Sequence, residues 1–181
     1  VLLAGILLVL SASTPGIPDR IHFLMKALSL PALQFSHRFA LLIGLFLIVI
    51  SHELLSKIQR AWSLVLILLV SGAVFALMKG MDFEEALYLL GTFTLLLISR
   101  PAFFRKSAPI SAEKTGLSLA WTAAGTIFYV ISGQPFSFTF FNTHQGISLL
   151  HFTSNDFVLN GLGAFTLTWI LFGLWHRTLA Q

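Results

Sequence analysis

The sequence predicts an all-α fold: a polytopic transmembrane helical bundle of about six apolar segments, the first of them truncated. Three observations lead there. Of 181 residues, 56% are hydrophobic and only 10% are charged, whereas a soluble domain carries about 25% charged residues. Mean hydropathy is +0.88, which leaves too little polar surface to cover a core in water. Charge also gathers at the ends of apolar runs long enough to cross a bilayer. The length suits one domain, with lipid as its solvent. A net charge of +4 would suggest nucleic acid in a soluble chain. Here the bases flank apolar runs, so topology and anionic lipid account for them. Cysteine is absent, which excludes disulfides, thiol nucleophiles and thiolate metal sites.

The elements follow in order, as one transmembrane domain over 1–181 with spans at about 1–13, 35–56, 61–79, 82–99, 115–133 and 156–175. Val1 to about Ser13 reads as the end of a spanning helix, too short to cross alone. The chain opens inside this run without a start Met, so more chain is expected before Val1. Thr14-Pro15-Gly16-Ile17-Pro18 breaks the helix. Asp19 to Gln34 mixes apolar and basic residues and suits a short interfacial helix stopped by Pro31. Phe35 to Ser56 spans, and Lys57-Ile58-Gln59-Arg60 turns. Ala61 to Lys79 spans back, with Trp62 placed for an aromatic belt. Asp82 to Ser99 is the fourth span, followed by a basic loop from Arg100 to Lys114. Thr115 to Gly133 is the fifth. Gln134 to Asn155 reads as a polar, aromatic loop. Within it Phe136, Phe138 and Phe140 alternate, with the period of a short hairpin. Asp156 to Trp175 is the sixth. No internal repeat of about 20–50 residues is apparent.

Alternating spans sort the bases onto two sides. One side holds Lys57, Arg60, Arg100, Arg105, Lys106, Lys114 and Arg177; the other holds Arg20, Lys26, Arg38 and Lys79. The richer side is expected in the cytoplasm, with the C-terminus. Small residues recur every four positions at Gly116, Ala120 and Ala124, and at Gly72 and Ala76. Both faces are expected to pack closely on neighbouring helices.

Asp82 and Glu85 have the spacing of a capping box, and Glu84 and Glu85 favour the positive end of the helix dipole. Lys79 sits at the negative end of the preceding helix. The structural reading is a capped, charge-neutralised hairpin. The functional one is a lipid head-group site, with Lys79 on phosphate and the acids on an amine. Arg100, Arg105 and Lys106 read as topology or as contacts to anionic lipid, worth about 1 kcal/mol each. Phe103 and Phe104 would anchor that loop in the head-group layer. Glu53 and Lys57 have a favourable helical i, i+4 order. Ser36 and His37 point about 100° apart on a helix and cannot pair directly. His144 and His151 lack metal-ligand spacing. No Walker loop, dinucleotide turn, HExxH or Gly-x-Ser-x-Gly is present. No catalytic residue, metal or cofactor is therefore expected.

The stretch Lys79-Gly80-Met81-Asp82-Phe83-Glu84-Glu85-Ala86 is followed by an apolar run. Ser99-Arg100-Pro101-Ala102-Phe103-Phe104-Arg105-Lys106-Ser107 comes next. Together they resemble the membrane region of the bifunctional lysyl-phosphatidylglycerol flippase/synthetases, the multiple peptide resistance factors. That family runs Lys-Gly-Leu-Asp-Tyr-Glu-Glu-Ala and then a Ser-Arg-Arg-x-Phe-Tyr-Arg-like end. Ser36-His37 with Gly44, and Arg60-Ala61-Trp62, also fit. The similarity covers about Pro15 to Ser107 and is weaker beyond. Pro101 stands where the family often has Arg, and Phe104 where it often has Tyr.

The resemblance implies the C-terminal part of a bacterial inner-membrane region. A cytosolic transferase domain of the same protein is expected after Gln181. That domain would take an amino acid from aminoacyl-tRNA and place it on phosphatidylglycerol, and this fragment would not catalyse the transfer itself. The membrane part would present phosphatidylglycerol, translocate the product, or both, giving resistance to cationic antimicrobial peptides. Its expected partners are anionic phospholipid, the transferase domain and, as a homo-oligomer, a second copy. The residues expected to touch the head group are Arg100, Arg105 and Lys106 inside, and Lys79, Asp82 and Glu85 outside. Two other readings stand beside it: a small transporter, which requires buried ionisable residues in the spans, and a structural membrane protein.

Overall fold

A computed structural model describes residues 1–13, 30–80, 82–103, 112–143 and 154–180. The elements are α1 (Leu2–Ser13), α2 (Leu30–Leu54), α3 (Gln59–Gly80), α4 (Phe83–Ile98), a 3-10 turn (Arg100–Ala102), α5 (Ala112–Thr143) and α6 (Ser154–Ala180). The fold is all-α. Among the described residues, four stretches are long and apolar enough to cross a membrane: Phe35–Leu54, Gln59–Lys79, Thr115–Ser132 and Asp156–Arg177. By length and composition the chain is a multi-pass membrane protein.

Consecutive helices run antiparallel. Trp62 of α3 meets Leu96 of α4, while Lys79 meets Glu85 at the other end. Trp169 of α6 meets Thr122 of α5, and Gly161 lies against Val130. One end of the bundle therefore carries Ser11, His37, Lys79, Glu85 and Asp156. The other carries Glu53, Lys57, Trp62, Arg100 and His176.

Helix α2 is the axis, touching α1, α3, α5 and α6. Leu41, Leu45, Leu47, Ile48, Val49 and Ile50 are all buried on it, around the whole helix. A helix apolar on every side belongs inside a bundle. Its contact with α1 depends on two glycines. A Cβ on Gly5 would lie 2.7 Å from the Gly44 carbonyl oxygen, so only hydrogen at these positions allows the backbones to meet. The outer helices turn large apolar side chains outward, among them Ile67, Leu87, Leu95, Ile131, Leu159 and Leu167. Lipid is the solvent that such a surface suits.

Several expectations are corrected. Pro31 lies in the first turn of α2 rather than stopping a helix, a position where its missing N–H costs nothing. Residues 134–143 continue α5 and form no hairpin. The polar side chains there outweighed neither helix continuity nor the preceding apolar turns. Gly116, Ala120 and Ala124 face outward, and a Cβ on Gly116 would meet nothing within 4 Å. The buried face of α5 is instead Ser118, Thr122, Thr126 and Tyr129. Thr122 and Thr126 donate to the carbonyls of Ser118 and Thr122 at 2.9 and 2.8 Å, so these hydroxyls are satisfied within their own helix. Gly72 and Ala76 are buried as expected, with Gly72 against Leu8.

Helix α4 has 16 residues and rises about 24 Å, less than the hydrocarbon thickness of about 30 Å. It nevertheless runs beside α3 from Lys79 to Trp62. Helix α2 ends at Leu54, and Lys57 takes a left-handed φ of 58°. The helical i, i+4 register between Glu53 and Lys57 therefore does not form. The interfacial segment 19–29, Phe104 and residues 144–153 lie outside the described residues.

Candidate functional site

Charge is carried into the bundle at the α3–α4 turn. Lys79 closes α3 and Glu85 lies in the first turn of α4, so the hairpin brings them face to face. Lys79 Nζ lies 3.5 Å from Glu85 Oε2 and 3.6 Å from Asp82 Oδ2. The side chains of Lys79 and Glu85 are only 4% and 6% exposed. Ser11 of α1 completes the group: its hydroxyl donates to Glu85 Oε2 at 2.6 Å and accepts from Lys79. Burying an ionised group is unfavourable unless a counter-charge and hydrogen bonds accompany it, and the cluster supplies both.

The capping box is not formed. Asp82 makes no side-chain cap hydrogen bond and turns to Lys79 instead. Glu85 turns inward to Ser11 rather than back to the helix start. A lysine three residues upstream and a serine on a third helix outweigh the local motif. Lys79 and Glu85 are buried in the protein but lie at the ends of their helices, not in the middle of a span.

The polar layer continues across the bundle. The His37 ring hydrogen-bonds the main chain at Ala12 and lies within electrostatic reach of Lys79. Its centroid is 6.5 Å from that of Tyr129. Tyr129 is fully buried beside Asn160. Its hydroxyl and the Asn160 Nδ2 make no hydrogen bond among the described residues. Ser36 is buried next to His37, so these two do not form an exposed serine–histidine pair.

At the opposite end Arg100 stands over the Trp62 ring, with its guanidinium carbon 5.7 Å from the centroid. The indole N–H of Trp62 donates to the Leu96 carbonyl at 2.8 Å, which holds the ring under the arginine. A cation over an indole face is favourable by about 0.5–1 kcal/mol at exposed sites. Phe103 packs inward near Trp62, at 6.5 Å between centroids, rather than anchoring the loop outward. Arg105 and Lys106 lie outside the described residues. Of the six expected head-group residues, the structure joins Lys79, Asp82 and Glu85 and places Arg100 apart from them.

Two residues the sequence reading missed are Ser11 and His176. Ser11 carries no signal, since serine is common at helix ends. His176 Nε2 lies 3.6 Å from Glu53 Oε1 between α2 and α6. That pair was hidden by a separation of more than a hundred residues. No known protein-family model matches this chain, and no curated protein matches it.

Proposed function

We propose that this chain is the membrane region of an aminoacyl-phosphatidylglycerol synthase and flippase. It presents phosphatidylglycerol to a cytosolic transferase domain of the same protein, translocates the aminoacylated lipid, or does both. The transferase would use aminoacyl-tRNA. The product lowers the negative charge of the bacterial cytoplasmic membrane and so gives resistance to cationic antimicrobial peptides. The basic end, with Arg100 and Arg177, faces the cytoplasm in this reading.

The observation that carries it is the paired sequence pattern Lys79 to Ala86 and Ser99 to Ser107; its described parts, 79–80, 82–86 and 99–103, lie at the two ends of helix α4. The hairpin supports the reading further. Its acidic end is drawn into the bundle, and its basic end holds an arginine at the surface over Trp62.

Lipid extraction and chromatography test it. Deleting the gene is expected to remove aminoacylated phosphatidylglycerol, or its outer-leaflet fraction. An Arg105→Ala/Lys106→Ala double variant should lower one of the two. If both stay at the parental level, the inner contact is wrong. Lipid composition and leaflet distribution both unchanged on deletion remove the whole reading and favour a structural membrane protein. A second reading is a stand-alone transporter, which requires ionisable residues within the spans; Lys79 and Glu85 are buried but lie at helix ends. Solute flux lost on deletion, with lipids unchanged, would support that alternative.

A further inference from the structure

Helix α4 is bounded by charge at both ends. Glu84 stands exposed in its first turn, and Arg100 stands exposed just past its last. From one to the other the helix rises about 24 Å. Its neighbour α3 sets nearly the same limits. Trp62 lies under Arg100, and Lys79 meets Asp82 and Glu85. Between Trp62 and Lys79, α3 rises about 26 Å. An ordinary bilayer has a hydrocarbon layer about 30 Å thick. Helix α6 is taller, rising about 32 Å from Asp156 to Arg177. Helix α4 packs on α3 and α1, whereas α6 packs on α5 and α2. The molecule therefore meets lipid with two different apolar heights.

Tilt does not reconcile them. Tilting shortens the height a helix covers, which relieves the surplus at α6 and deepens the deficit at α4. Helix α4 is also not prolonged inward, because a 3-10 turn with Pro101 follows and Phe103 packs back beside Trp62. Between its charged ends the outward face is bulky and apolar. Leu87, Leu95 and Ile98 are 73%, 70% and 72% exposed. Thr92 and Thr94 bond carbonyls of their own helix at 2.9 Å, so their hydroxyls need no partner outside it. Helix contacts in membranes favour small residues that let backbones approach. Large aliphatic side chains suit fluid acyl chains instead.

We propose that the outward face of α4 thins the bilayer and gathers phospholipids with short acyl chains, while the α6 face does not. The depth is set by Glu84 and Arg100, which hold the two polar boundaries closer together than an ordinary bilayer does. The selection is for chain length at constant head group, so it goes beyond the lipid-synthesis reading and does not depend on it.

The chain has no cysteine, so one fluorophore can report on each face of the full chain. Leu90→Cys marks the middle of α4 and Leu167→Cys the middle of α6, both at outward positions. Brominated phosphatidylcholine quenches a fluorophore that it touches. Dimyristoleoyl- and dioleoyl-phosphatidylcholine then compete to relieve the quenching. At Leu90→Cys the shorter lipid is expected to bind more tightly by roughly threefold, the scale of a mismatch of about 6 Å. At Leu167→Cys it should show no advantage. Adding Glu84→Leu and Arg100→Leu to Leu90→Cys should bring the ratio to about one.

A ratio of one at Leu90→Cys in the otherwise unaltered chain overturns the proposal. So does an equal preference for the shorter lipid at both faces, which would belong to the molecule as a whole. Quenching at Leu167→Cys with none at Leu90→Cys would mean that protein, another segment or a second copy, covers α4, and this also overturns it. A triple variant that folds and keeps the full ratio removes the charged ends as its cause. Unchanged cellular lipids on gene deletion remove the synthase reading and leave a measured chain-length preference standing.

Discussion

Lys79 and Glu85 show how a residue's meaning changes with its neighbours. Along the chain they read as end charges of two helices. In the bundle they are a buried pair, tied to Ser11 and edged by Asp82. The energetics of such a pair are asymmetric. Removing one partner strands the other in a low-dielectric interior, at about 3–5 kcal/mol. Replacing both with apolar groups of similar size removes the desolvation penalty together with the attraction. Glu85→Ala is therefore expected to lower stability in detergent by about 3 kcal/mol or more. The double variant Lys79→Met/Glu85→Leu should recover most of that loss. Thermal unfolding of the three proteins checks it. A double variant no better than Glu85→Ala alone would mean that the cluster is not a compensated ion pair.

At the scale of elements, close backbone approach sets the positions of α1 and α2. Gly5 and Gly44 each leave the room that the other's carbonyl oxygen fills. Gly44→Leu is expected to push α1 off α2 and cost about 1–3 kcal/mol, the usual effect of overpacking. Gly116→Ala places its methyl in open space and should change stability by no more than about 1 kcal/mol, in the favourable direction. Chemical unfolding of the two variants gives the comparison. Equal losses would mean that α5 packs on something through Gly116. Gly72 and Gly116 belong to small-residue patterns that look alike in the sequence, yet only Gly72 meets a neighbouring helix. Periodicity names a face without saying whether it meets a helix or lipid. The same limit explains the hairpin expected at Phe136 to Phe140: alternation over five residues is weak evidence beside a helix already under way.

Over the whole molecule, the alternation of helices brings Lys57, Arg60, Arg100 and Arg177 to one end and Lys79 with its acids to the other. That asymmetry underlies the proposed orientation. The natural absence of cysteine makes it directly testable. Phe83→Cys, at a position 54% exposed beside the acidic cluster, is expected to react with a membrane-impermeant maleimide added to intact cells. Lys57→Cys should react only after the membrane is opened. The reverse pattern would invert the topology and move the Lys79–Glu85 cluster to the cytoplasmic face.

Composition and hydropathy were enough for the all-α class, the presence of spans and the segregation of charge. These are properties of segment against solvent, and a lipid-soluble segment declares itself locally. The hairpin of α3 and α4 was legible for the same reason, since two apolar runs joined by a short polar turn can only fold back. Partners across helices could not be read. That Ser11 meets Glu85, that Glu53 meets His176, and that Thr122 rather than Ala120 faces α6 depend on helix rotation and neighbour choice. Those are settled by packing many side chains at once. The turn of Asp82 and Glu85 away from a local cap toward Lys79 and Ser11 belongs to the same class: a short motif gave way to a buried charge that only the tertiary structure supplies.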